Sequence, residues 1–183
     1  MTLREHTGPG MTRRTLTVSL LTMGIACAFP PCVGWASGPR NDFTRRLSAG
    51  QRLFEQGNVD AAIAEFRAAV AAQPDNSMAH LWLGRALGRK IEKSGPLQAM
   101  QMVHDVCREF EQAVALDPNN VEARSDLMEF YLGAPRTFGG GMDKAEAQAD
   151  AIAKLDPTMG QRARAIIEEK TKEEQGSTAA DDE

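Results

Sequence analysis

Arg85 and Arg89 stand four residues apart, a spacing that puts two guanidiniums on one helix face, where they can grip a carboxylate in forked geometry. An ordinary solvated helix face has the same pattern. Gly139, Gly140 and Gly141, with Arg136 just ahead of them, offer backbone N–H groups able to cradle an anion before a helix. A phosphate-binding loop also requires Gly-Lys-Ser/Thr, whereas Lys144 is followed by Ala145, so a turn between helices is the simpler reading. His80 and His104 lack a Cys, Asp or Glu at ligand spacing, and no metal site is expected. His104, Asp105 and Cys107 contain the residue types of a nucleophile system, but Cys107 falls on an apolar stripe, as a buried thiol does. Met100 and Met102 carry thioethers for a soft metal ion, yet alternate positions of a helix point to different sides. No catalytic residue and no cofactor is assigned, and the chain is not expected to be an enzyme.

The elements that position these residues are helices. Aromatic residues make up only 5% of the 183 residues, while Ala, Leu, Glu, Gln, Arg and Met crowd the middle of the chain, which predicts an all-α fold. Three segments end alike: Gln73-Pro74-Asp75, Asp117-Pro118-Asn119 and Asp156-Pro157-Thr158. Each proline ends a helix, because it has no N–H and its ring collides with the preceding turn. Ahead of them stand Ala62, Phe66 and Ala69, then Val106, Phe110 and Ala113, then Ala145, Ala149 and Ile152, an apolar face at spacings of four and three. Gly50 and Gly84 each interrupt a helical pattern at a cost of about 1 kcal/mol, a sign of close approach to another helix, with Ala62 as the small residue opposite.

Leu83, Gly84 and Leu87, together with Ala62, Phe66, Ala69 and Pro74, and Tyr131 in the third unit, resemble the tetratricopeptide repeat, a 34-residue helix-turn-helix unit. The resemblance covers residues 43–157 and implies a helical-hairpin solenoid of three repeats, 43–76, 77–120 and 121–157. Gly50 to Gly84 spans 34 residues, but the proline spacings of 44 and 39 place insertions between the two helices of repeats two and three. In repeat two, Pro96 opens a helix whose stripe runs through Leu97, Met100, Val103, Cys107, Phe110 and Val114. In repeat three the insertion is the loop of residues 134–141, a block that also resembles one in exported bacterial proteins of this repeat class. A capping helix at 158–174, with Ala163, Ile166 and Ile167 inward, closes the stack, followed by a disordered tail at 175–183.

The resemblance further implies a concave surface lined by the first helices: Gln51, Phe54 and Glu55 from repeat one, Leu81, Arg85 and Arg89 from repeat two, Ser125 and Glu129 from repeat three. The expected function is an interaction scaffold holding a protein or peptide in that groove, with Arg85 and Arg89 facing an acidic segment or C-terminal carboxylate. The Lys and Asn pattern of repeat proteins that clamp chaperone C-termini is absent. The rival reading is a small-molecule or anion-binding accessory subunit that uses the Gly-rich loop at 134–142 and Arg136.

Arg13 and Arg14 precede a mildly apolar run from Leu16 to Phe29 and a small-residue site at Gly34-Trp35-Ala36, which reads as a signal peptide over residues 1–36, with Met11 the better start. Residues 37–42 form a linker. Export through the general or the twin-arginine route is expected, to the periplasm or outside the cell; Gly24 argues against lipidation at Cys27. Cleavage removes Cys27 and Cys32 and leaves Cys107 alone, so no internal disulfide forms. It also removes three Arg and one Glu, taking the net charge from −4 to −6, which argues against nucleic acid and against an anionic membrane as partner. The apolar run is too short and too interrupted for stable membrane insertion.

Overall fold

The computed structural model describes residues 39–180. The signal-peptide reading of residues 1–36 lies outside the described residues. Seven α-helices follow one another: α1 (Pro39–Glu55), α2 (Val59–Ala72), α3 (Ser77–Glu92), α4 (Pro96–Leu116), α5 (Val121–Gly133), α6 (Met142–Leu155) and α7 (Pro157–Ala180). A short 3-10 turn, Arg136–Phe138, sits between α5 and α6, and no strand occurs among the described residues. Each helix packs on the next in sequence, with α1 also touching α3 and α5 touching α7. Three hairpins and a closing helix therefore form the expected solenoid.

Local chemistry explains most boundaries. Asn76 caps α3 by accepting from the N–H groups of Met78 and Ala79 at 3.1 and 3.4 Å, and Asn120 caps α5 by accepting from Ala123 at 3.0 Å. The third proline acts differently. Pro157 is the first residue of α7, where a missing N–H costs nothing, and Asp156 caps that helix by accepting from Thr158 and Met159 at 2.9 and 3.0 Å. One residue thus ends α6 and starts α7. The linker expected at 37–42 is shorter, because Pro39 similarly opens α1 and Asp42, in its first turn, pairs with Arg45 and Arg46. The tail expected from 175 is also shorter. α7 continues to Ala180, since the Gly176 penalty of about 1 kcal/mol is too small to break a helix flanked by good helix formers.

Every residue of the three apolar faces read from the spacing is buried, and Phe66, Leu81, Met128 and Ile152 are the largest side chains wholly withdrawn from water. The close approach read from Gly50 and Gly84 is real but its partner differs. A Cβ on Gly50 would stand 2.5 Å from the Phe66 ring, and one on Gly84 2.7 Å from the Phe110 ring. The opposing residue is therefore the large aromatic of the second helix, not Ala62: a glycine dent receives a ring, which contributes more buried area than two small residues meeting. In α4 the first turn extends past the stack, leaving Leu97 71% and Met100 52% exposed. In α7, Ala163 and Ile167 face the core, but Ile166 does not; it is 41% exposed, one helical step of about 100° off that face. Among the described residues no helix is long and apolar enough to cross a membrane.

Candidate partner-binding groove

α1 meets α3 and α5 meets α7, but α3 and α5 are not among the closely packed pairs, and a concave groove of about 480 Å³ opens there. α1 supplies Phe54, α3 supplies Trp82, Arg85, Gly88, Arg89 and Glu92, and α5 supplies Asp126, Glu129 and Phe130, over a floor of Val106 and Phe110 from α4. The aromatic residues form a connected wall. Trp82 stands edge-on to Phe54 and stacks on Phe66, both at 5.9 Å between ring centres, and Phe110 meets Phe130 at 6.4 Å.

Both guanidiniums lie over this wall, Arg85 half-buried and Arg89 exposed to solvent. The Arg85 guanidinium carbon is 5.1 Å from the Trp82 ring centre, and that of Arg89 is 5.2 Å from the ring of Phe54. Arg85 is moreover engaged. Its Nε and Nη2 donate to the two carboxylate oxygens of Asp126, the latter at 3.1 Å, and its Nη1 lies 2.7 Å from Glu122. This bidentate pair bridges α3 to α5 where the helices themselves stand apart. Arg89 has a looser partner in Glu92 at 3.5 Å.

Of the residues expected in the groove, Phe54, Arg85, Arg89 and Glu129 line it. Gln51 is half-buried on α1 outside the lining, and the Ser125 hydroxyl donates to its own helix at Val121 O, 2.9 Å away. Leu81 is a correction: it is fully buried in the core and offers no contact surface. The helical geometry shows why, because Trp82, seven residues from Arg89, shares its face, while Leu81 is displaced by roughly 80°. Trp82, Asp126 and Phe130 were missed. The Trp82, Arg85, Arg89 spacing of three and four was the available signal. Glu129 borders a second concavity of about 290 Å³ with Leu132, Ile166, Glu169, Lys170 and Glu173, so the concave face continues onto α7.

The other chemical candidates are absorbed by the fold. In the Gly-rich loop the N–H groups of Gly139, Gly140 and Gly141 donate to the carbonyls of Arg136, Pro135 and Tyr131 at 3.1, 3.2 and 2.9 Å. Those donors are committed to shaping the turn, with Gly139 at φ 92°. A Cβ on Gly140 would fall 1.8 Å from Ala134 O, so the loop is a packed corner. Arg136 is exposed and faces Asp143 at 3.6 Å. Burial, aided by Glu111, pushes the Cys107 thiol up to about 11, leaving it protonated and unreactive at neutral pH. The His104 ring rests on Phe138, 5.5 Å between centres. Among the described residues no cluster of three or more His, Cys, Asp or Glu is placed to hold a metal ion.

The described residues thus form a helical-hairpin solenoid with an aromatic concave groove. Residues 47–90 match the tetratricopeptide repeat family model, and the described chain has the fold of tetratricopeptide-repeat domains. The first such domain of human RPAP3 superposes with a TM-score of 0.58 at 19% identity, covering 76% of this chain and 99% of that one. The second domain of human RPAP3, solved with an HSP70 peptide, gives 0.55 at 19% identity over 72% and 98%. PcrH from Pseudomonas aeruginosa gives 0.54 at 18% identity over 70% and 91%. No curated protein matches the chain significantly in sequence.

Proposed function

We propose that this chain is an exported interaction scaffold that holds a peptide or protein segment of a partner between α1, α3 and α5. The observation that carries the reading is the groove itself: three half-buried aromatic side chains, Phe54, Trp82 and Phe130, line a common concavity over the buried ring of Phe110, with charge around them. Aromatic anchors in a water-excluding pocket, surrounded by polar groups, are the arrangement in which a few side chains supply most of the binding energy. The HSP70 peptide held by the human RPAP3 domain supports this use of the fold.

Gly88 provides the test. It lines the groove, and a Cβ built on it meets nothing within 4 Å, so a side chain there enters the groove without disturbing the core. Gly88→Leu is expected to raise or preserve the melting temperature, through an improved helix propensity of roughly 1 kcal/mol, while abolishing capture of the native partner. The measurement is crosslinked pull-down of the mature chain from its own envelope, read by mass spectrometry. Partner recovery equal to that of the unmodified chain would show that binding occurs elsewhere. Export rests on the residues between Arg13 and Ala36, and N-terminal sequencing of the exported chain should find Ser37 first. A chain still beginning ahead of Leu16, or lipidated at Cys27, would refute that part.

A further inference from the structure

The charges around the groove do not form the positive site that Arg85 and Arg89 suggest in isolation. The lining holds three carboxylates, Glu92, Asp126 and Glu129, against two guanidiniums. Arg85 is saturated by Asp126 and Glu122, and Arg89 lies beside Glu92. The adjoining concavity adds Glu169 and Glu173 against Lys170, which itself pairs with Glu173 at 3.2 Å. Once these pairs are set aside, Glu129 and Glu169 have neither a hydrogen bond nor an ion pair among the described residues. Glu129 stands where the two concavities meet, with the aromatic wall on one side and Leu132 and Ile166 on the other.

Resting on the groove function above, we infer that the bound segment carries a lysine or arginine which meets Glu129, next to an aromatic or large aliphatic side chain that enters the wall of Phe54, Trp82, Phe110 and Phe130. Charge complementarity selects this occupant. A carboxylate brought into the groove would face Glu92, Asp126 and Glu129 with Arg85 fully engaged and only the loosely paired Arg89 to offset them, whereas a cation finds an unpaired carboxylate at its centre. Partial desolvation of the carboxyl, reinforced by Asp126 and partly opposed by Arg85, holds Glu129 above the usual carboxylate range, while the residue stays exposed and open to an incoming cation.

The test is a synthetic peptide array of fixed length in which aromatic, aliphatic, basic and acidic residues are permuted, probed with the full mature chain and with its Glu129→Gln, Glu129→Lys, Arg89→Ala and Gly88→Leu variants. The expected result is retention of peptides that pair a basic with an aromatic or aliphatic residue. Their affinity, measured by fluorescence anisotropy at low ionic strength, should fall about two- to fivefold in Glu129→Gln and the charge preference should invert in Glu129→Lys. Glu129→Gln should melt at the same temperature or higher, because it removes an unmatched carboxylate. Retention of acidic peptides that depends on Arg89 would overturn the cationic assignment while leaving the groove function intact. Binding of basic peptides unaltered by Glu129→Gln and Glu129→Lys would overturn it too, as would a lowered melting temperature with equal loss of all peptides. If no peptide were retained and Gly88→Leu changed nothing, the groove function itself would fall, and this inference with it.

Discussion

Deleting α7 from Met159 onward is expected to convert a monodisperse protein into an aggregating one, with a loss of stability of about 3–5 kcal/mol. α7 is the last layer of the stack, and its Ala163 and Ile167 cover the face of α6 on which Ala145, Ala149 and Ile152 are buried. Gly160 shows how close that contact is, since a Cβ there would lie 2.4 Å from Ala153 Cα. Because a solenoid unit is stabilised by its own fold and its immediate neighbours, repeat three would be left with an uncovered apolar surface. Size-exclusion chromatography and thermal melting check this. A shorter truncation beginning at Gly176 serves as the control and should leave both measurements unchanged. A Met159 truncation that remained monomeric and equally stable would remove the capping role of α7.

The second large effect concerns a buried polar pair. His80 on α3 and Glu109 on α4 are both buried, with Nδ1 and Oε2 2.7 Å apart, and His80 Nε2 donates to Pro74 O at 2.8 Å. A carbonyl only accepts, so the proton on Nε2 is assigned by geometry. Nδ1 and the carboxyl then share one further proton, whichever of them holds it. This link ties the loop after repeat one to both helices of repeat two. His80→Ala would strand the Glu109 carboxyl in the core, since Arg108, 3.2 Å from its other oxygen, is mostly exposed and compensates little. A loss of about 3–5 kcal/mol is expected. Glu109→Gln should cost far less, because its amide N–H can donate to Nδ1 of neutral His80 and no charge remains to be buried. Chemical denaturation of the two variants decides the matter. Equal losses would mean that the site acts by packing alone.

The helices and their inward faces were legible in the sequence because the signals for them act within a turn or two of chain. Proline ends a helix by colliding with its own preceding turn, and Ala62, Phe66 and Ala69 share a face because 3.6 residues complete a turn. The same locality explains the errors. Residues 37–42 were read as a linker and Pro157 only as the end of a helix, although proline at a first helical position also opens one, as Pro39 and Pro157 do. Ile166 and Ile167 are both apolar, and only the angle at which α7 lies on α6 decided that Ile167 turns to the core.

The groove depends on longer distances. Arg85 and Asp126 are 41 residues apart, and His80 and Glu109 are 29 apart. Neither pairing follows from spacing along one helix, because it depends on how each hairpin is rotated and offset against the next. By itself the sequence determined that three helical hairpins stack and which stripe of each is buried, since helical period, proline and glycine act on the backbone where they stand. Only the tertiary structure decided that Leu81 is withdrawn while Trp82 forms the wall, that Arg85 is neutralised, and that Glu129 is left unmatched. Which charges cancel on a concave surface is set by distances between helices, and those distances come from the packing of side chains far apart in the chain.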